Sequence, residues 1–506
     1  MRRLIVVSFL ILLGICSFSV LGSAGTSDQE FVVAITVLGD HFDPHRPPGN
    51  AAYPLMAVFD GLTRLNTDGE LCPSLAQSWE AVDETTWRFH LRNDVSFHNG
   101  EQFTAEVVKQ NIARMLDPKE PRASYFFSSI VSYGVVDDYT IDVVTVRPDP
   151  LMPYKVSGLF VGPASMVGNP KSDQFNAHPV GTGPFEFVEW IKGERIVLRA
   201  NKTYFRGAPA FSRVVFREIP DASSQIAELL VGGVDIIEQV RSEFIAKIEA
   251  SGVAHIAVAP GAQNQVVGLR PDIAPFSDKR VRQAVNYALD IESIISAILG
   301  GYAHHQATPI HPSDFGFNPD VLPYPYDPAK ARELLAEAGY KDGLKVDFAI
   351  SSGVGGSSYA EVAQAIAFQL GEVGIQASIV SMDFATLRQR LYTDKSISPM
   401  YCWNWKTWFN DPDIVMFGLY YSDTYSNMID DPTLDAMILD ARFCMDAEKR
   451  SALYKELQAL IREEAYYVPL YYLENIYAVS NRISWTPRVD ERIYVYDAVP
   501  AGGVGK

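Results

Sequence analysis

The sequence predicts an α/β protein on three observations. Apolar runs of strand period alternate with amphipathic helical runs along the chain, one stretch spells out a complete βαβ unit, and no heptad or internal repeat competes with that pattern. The βαβ unit consists of LKVDFAI (residues 344–350), a helical pattern over residues 359–370, and IQASIV (residues 375–380). Just before it, Asp327 reads as a helix N-cap, with Pro328 in the first helical position, Ala331, Leu334, Leu335 and Ala338 on one apolar face and Gly339 as the stop. The longest Gly/Ser-rich stretch, SSGVGGSS (residues 351–358), is too short for a flexible tether, so strands are expected to join the domains.

At the N-terminus, Met1, Arg2 and Arg3 precede an apolar run over residues 4–15 and the small residues Gly22, Ser23 and Ala24. This is the layout of a secretory signal peptide, expected over residues 1–24. Cys16 follows Ile15, where a lipid-modified signal carries a small residue, so a freely diffusing exported protein is expected. No later stretch has the ~20 apolar residues that a membrane helix needs. A chain of 506 residues with 47% hydrophobic and 21% charged side chains has the composition of a globular protein of several domains. Its formal charge of -18 falls two units further without Arg2 and Arg3, which argues against nucleic acid or an anionic membrane surface as partner. Beyond Cys16, the odd number of cysteines (Cys72, Cys402 and Cys444) leaves at least one unpaired; a Cys402–Cys444 bridge and buried thiols are both open readings.

Motifs of catalysis are absent: there is no G-x-S-x-G, H-E-x-x-H or G-x-x-x-x-G-K, so an enzyme is not expected. His41 and His45 stand four apart, but Pro44 breaks the helical spacing, and His304, His305 and His311 scatter through a loop; neither a metal site nor a cofactor is expected. The densest aromatic cluster is YCWNWKTWFNDPD, with Trp403, Trp405 and Trp408 flanked by Tyr401 and Phe409. In a strand, Tyr401, Trp403 and Trp405 share one face. Trp403 reads as core, whereas Trp405 and Trp408 read as walls of a ligand cleft suited to flat apolar faces.

Five strings carry a family resemblance: the run over residues 59–114 that opens FDGLTRLNTDGELCPSLAQSW, VGTGPFEFVEW (residues 180–190), PFSDKRVRQAVNYALD (residues 275–290), YDPAKARELLAEAG (residues 326–339) and NDPD (residues 410–413). In them the chain resembles the peptide/nickel-type, family 5 extracellular solute-binding proteins of ABC transporters. The resemblance implies a two-lobed type II (cluster C) periplasmic binding fold with an extra subdomain. Lobe one would hold residues 25–273 and 473–506, including the subdomain at residues 49–176, and lobe two residues 274–472. The crossings between lobes would fall near residues 266–275 and 468–478.

The function implied is capture of a short peptide or peptide-like solute in the periplasm by a monomer that closes its lobes and delivers the solute to the permease and ATPase subunits in the membrane. Peptide-binding relatives carry a carboxylate three residues after the tryptophan that matches Trp405, where it holds the peptide ammonium; Trp408 stands there in this chain. That departure keeps a carbohydrate or opine-type sugar conjugate open as ligand. Asp411 and Asp413 either replace the missing carboxylate or serve as turn and capping residues. Arg270, beside the expected hinge, either forks onto a ligand anion or forms a surface ion pair; Arg122 and Tyr125 occupy a subdomain loop that faces the cleft in relatives. An enzyme or a sensor on the same scaffold is the alternative of another class.

Overall fold

The first strand, Ser27–Ile35, is buried on both faces: Phe31, Val33 and Ile35 enter one core, and Val32 and Ala34 another. Double burial explains the unbroken apolar run and the parallel pairing with Phe211–Glu218 and Ile236–Ile237. The computed structural model describes residues 27–47, 49, 52–117, 126–168, 174–352, 358–406, 409–424 and 428–502. The expected signal peptide, Arg122, Tyr125 and Trp408 lie outside the described residues.

An eleven-stranded mixed sheet organises these residues. It runs from Ile375–Asp383 through Leu344–Ser352, Met400–Lys406, Ala254–Leu269, Tyr467–Ser480, Ile236–Ile237, Ser27–Ile35, Phe211–Glu218 and Arg195–Ala200 to Phe185–Ile191, with Ala303–His305 added beside Tyr467–Ser480. A separate four-stranded antiparallel sheet, ordered Ala76–Ala81, Thr86–Leu91, Thr140–Thr145, Ile130–Asp137, packs under the helix Ala105–Met115. Local signals account for the regular parts. The βαβ unit appears as Leu344–Ser352, the helix Ser358–Glu372 and Ile375–Asp383, paired in parallel from Leu344 opposite Ile375 to Ser352 opposite Asp383. Asp327 caps the helix Pro328–Glu337 by accepting from Lys330 N at 2.8 Å, and Gly339 takes the left-handed φ of +91° that ends it.

Two long strands tie the molecule together. Ala254–Leu269 and Tyr467–Ser480 pair antiparallel from Ala254 opposite Ser480 to Gly268 opposite Tyr467, with breaks in register between Pro260 and Asn264 and between Gln265 and Val266. The core changes over at this irregular stretch. Two clusters of buried apolar residues draw on residues 31–254 and 476–498, and the other two on residues 266–471.

The strand Met400–Lys406 shows the expected alternation, with Met400 and Cys402 in one core and Tyr401 and Trp403 in the other. Trp403 stacks on Phe384 with centroids 5.8 Å apart and the rings 8° from parallel. Cys72, Cys402 and Cys444 are free thiols, so the bridge left open by the sequence is not formed; burial pushes the Cys402 thiol up to about 12. Gly268 lies under the Tyr401 ring, where a β-carbon would come within 2.2 Å of it. Gly268→Ala is therefore expected to destabilise the protein by roughly 1–3 kcal/mol through overpacking. A lowered thermal midpoint would show this, and an unchanged one would mean that the ring yields freely.

Candidate ligand cleft

The carboxyl ends of the parallel strands Ser27–Ile35 and Ile236–Ile237 open on one side of the sheet, where open α/β sheets place their ligands. A cavity of about 530 Å³ lies there. Tyr53 from the helix Ala52–Val58 and Glu238, just past the second strand, form one wall. Lys406 ends the strand Met400–Lys406, Asn475 belongs to the second long strand, and Glu491 and Arg492 come from the C-terminal segment. The volume is in the usual ligand-pocket range of ~300–1,000 Å³.

Charges around this cavity are paired unequally. Glu491 Oε2 forms an ion pair with Lys406 Nζ, and its Oε1 accepts from Ala262 N at 2.7 Å, in the irregular part of the first long strand. Asp490 is forked by Arg488 at 3.0 and 2.9 Å. Glu238 has a hydroxyl and no cation: it accepts from Tyr53 Oη at 2.5 Å, and among the described residues no basic side chain lies within 4.0 Å. Burial raises its pKa above the ordinary glutamate value, the Tyr53 hydrogen bond opposes this, the Glu491 charge adds to it, and Lys406 opposes it from further away. The Tyr53 hydroxyl is raised by burial and then by Glu238. Asn475 Nδ2 has no hydrogen-bond partner among the described residues.

A second cavity, of about 70 Å³, shares Ala52 and Arg492 with the first. Its lining is aromatic: Phe126, Phe127, Phe160 and Phe409, with Phe126 edge-on to Phe409 at 6.0 Å. Gln239 and Glu491 at the larger cavity, Phe409 at the smaller and its neighbour Asn410 all hold left-handed φ angles of 53°, 63°, 65° and 49°. Such conformations cost ~1–3 kcal/mol each in non-glycine residues and concentrate where surrounding structure imposes a functional geometry.

The side chains singled out from sequence lie elsewhere or are engaged within the protein. Trp405 is half-buried and packs against Gly418, where a β-carbon would come within 2.2 Å of its ring. Asp411, 4% exposed, is gripped by Arg450 through two hydrogen bonds of 2.6 and 2.7 Å and accepts from Asp413 N at 3.0 Å. Asp413 opens the helix Asp413–Tyr420 and lies 3.3 Å from Arg442; burial raises its pKa, with Arg442 opposing. Arg270 forks onto Asp272 at 3.0 and 2.6 Å and donates to Ile397 O at 2.9 Å. None of these four lines either cavity. Trp408, Arg122 and Tyr125 fall outside the described residues. Sequence reasoning passed over Tyr53, Glu238, Lys406, Glu491 and Arg492; the carboxyl-end rule applied to DIIEQV would have pointed to Glu238. Among the described residues no group of three or more His, Cys, Asp or Glu side chains could hold a metal ion.

The chain is similar to several known proteins over most of its length. Heme-binding protein A of Haemophilus influenzae is 28% identical over 442 residues, which cover 81% of this chain and 80% of that protein. Glutathione-binding protein GsiB of Salmonella paratyphi A is 25% identical over 489 residues, covering 93% of this chain and 94% of that one. The periplasmic binding protein DppA of Helicobacter pylori, solved in complex with the peptide STSA, has the same two-lobed type II fold, with a TM-score of 0.77, 24% identity, and coverage of 93% of this chain and 98% of that chain. The model of the bacterial extracellular solute-binding proteins, family 5 (middle region) matches residues 70–427, and the chain belongs to that family.

Proposed function

We propose that this protein is the solute-capturing component of an ABC importer for short peptides. It works in the periplasm as a monomer exported by the signal peptide at residues 1–24, and it hands its ligand unchanged to the membrane permease and ATPase subunits. The observation that carries the reading is Glu238: a carboxylate with no cation within 4.0 Å among the described residues, in a 530 Å³ cavity at the changeover between the two pairs of cores, suited to a ligand ammonium group. The similarity to a glutathione-binding protein, whose ligand is itself a tripeptide, supports it. No helix among the described residues is long and apolar enough to cross a membrane.

Capture is a population shift. Tyr53 and Glu238 sit on the side of the first cores, Lys406 extends from the strand shared by the second, and a ligand touching both sides favours closure by as much as it binds the closed form better. The proposed lobes, residues 25–273 with 473–506 and residues 274–472, would move about the irregular stretch of the long strands. In the structure the two sides already touch where Phe126 meets Phe409 and where Asn410 Nδ2 donates to Asp68 O at 3.4 Å.

Calorimetry on ligand-stripped protein tests the reading: tripeptides with a free N-terminus are expected to bind, their N-acetylated forms at least tenfold more weakly, and Glu238→Gln to abolish the difference. Equal binding of both forms by the wild type would remove Glu238 from the ammonium site. A pH series adds an independent sign. An ammonium ligand needs ionised Glu238, so affinity is full above its raised pKa and falls as pH drops through it, by up to about tenfold per unit. Tyr53, Lys406 and Glu491 are the titratable neighbours, and a profile that is flat through the mildly acidic range would contradict the assignment. Asp411→Asn, by contrast, strands Arg450 and is expected to lower stability by ~3–5 kcal/mol in denaturant titration while leaving peptide affinity within a few fold.

A further inference from the structure

We propose that Arg64 and Arg206 hold a monatomic inorganic anion, chloride or a like halide, in a third cavity that is separate from the cleft. The site is independent of the short-peptide reading. The cavity has a volume of about 30 Å³ and is lined by Met56 of the helix Ala52–Val58, by Arg64, Ser74 and Arg206, and by Tyr496 of the C-terminal segment. Arg64 reaches it from the strand Thr63–Leu65, which pairs antiparallel with Leu71–Pro73 and stands opposite Cys72. Neither arginine lines the larger cavity or the phenylalanine-lined one. The space is two to three times the ~10–15 Å³ that a water molecule needs, which admits a single ion and excludes the end of a peptide or a sugar.

The lining sets two guanidinium groups against one carboxylate, Asp60, and hydroxyls already occupy that carboxylate: Oδ1 accepts from Tyr204 and Oδ2 from Thr182, both at 2.8 Å. Arg206 is well held. Burial opposes its charge, but Tyr204 and then Asp60 outweigh burial and raise its pKa, and its guanidinium lies 4.9 Å from the centre of the Tyr496 ring. Arg64 is the group without a counter-ion. Its Nε is buried with no hydrogen-bond partner, and among the described residues no carboxylate lies within 4.0 Å of its guanidinium. Burial and then the Arg206 charge lower its pKa, and Cys72, Asp497 and Tyr204 offset this only in part; Asp497 is itself engaged by Arg488 at 3.3 Å. A guanidinium does not give up its proton in a protein, so the balance is restored by an anion that accepts from Arg64 beside Arg206. Tyr496 Oη donates to Arg206 O at 2.7 Å, so the ion would strengthen the hold of the first half of the molecule on the C-terminal segment. Its effect is therefore on stability.

The test pairs thermal unfolding in sodium chloride and in sodium gluconate, at matched concentrations, with crystals soaked in sodium bromide. The wild-type midpoint is expected to rise saturably with chloride, by at least about a degree over gluconate, whose anion is too large for the cavity. Bromide is expected to give an anomalous peak between Arg64 and Arg206. Arg64→Gln is expected to unfold at the same temperature in both salts. Equal wild-type midpoints in the two salts overturn the proposal, and a bromide peak found alongside them marks an adventitious ion only. A chloride-dependent rise without bromide at this position places the anion elsewhere and overturns it too, as does a full chloride response in Arg64→Gln. The two wild-type measurements decide the matter even where the variant fails to fold, and neither outcome bears on peptide capture.

Discussion

Everything in this structure hangs on the antiparallel pairing of Ala254–Leu269 with Tyr467–Ser480. The ladder runs through both halves of the molecule, and the apolar cores on either side are built on its two ends. Its irregular middle is the one stretch where the strands do not face each other residue for residue. There Ala262 N is met by the Glu491 carboxylate, so a side chain from the C-terminal segment supplies the acceptor that the ladder does not. Because the same carboxylate holds Lys406, the irregular stretch, the tail and the end of the strand Met400–Lys406 are coupled through one group.

Charges in this structure differ in how they are paired. Asp411 with Arg450, Arg270 with Asp272 and Asp490 with Arg488 are bidentate pairs in which both partners come from this chain. They fix loops and cost the protein a partner if one member is lost. Among the described residues Glu238 and Arg492 have no oppositely charged side chain within 4.0 Å, and both line the larger cavity; the left-handed residues Gln239, Phe409, Asn410 and Glu491 gather around the same region. Left-handed non-glycine residues concentrate where the surrounding structure imposes a functional geometry, and four of them gather at the candidate cleft.

Features written in short windows were legible in the sequence. The Asp327 cap, the βαβ unit and the two faces of Met400–Lys406 depend on neighbours within a few residues, and period and capping chemistry reveal them. The partnership of Asp411 with Arg450, 39 residues on, leaves no periodic trace, so a buried ion pair and a ligand contact look alike in NDPD. Arg270 is similarly ambiguous in sequence, where its fork onto Asp272 and a fork onto a ligand anion read alike. The cleft was the least legible part, because Tyr53, Glu238, Lys406 and Arg492 come from four separate regions and meet only through the sheet topology. The family resemblance gave the class without these residues, since its shared strings are largely those of the scaffold.

The return of the chain to its first half has a consequence for how the protein comes into being. Val479 and Ala478 pair with Ile236 and Ile237, and Tyr477, Val479, Ile493 and Val495 complete the core begun by Phe31 and Val33. The half of the molecule that is synthesised first is therefore completed only after more than two hundred intervening residues have left the ribosome. Contacts of such long sequence separation form slowly, so the emerging N-terminal half exposes apolar strand surface throughout synthesis.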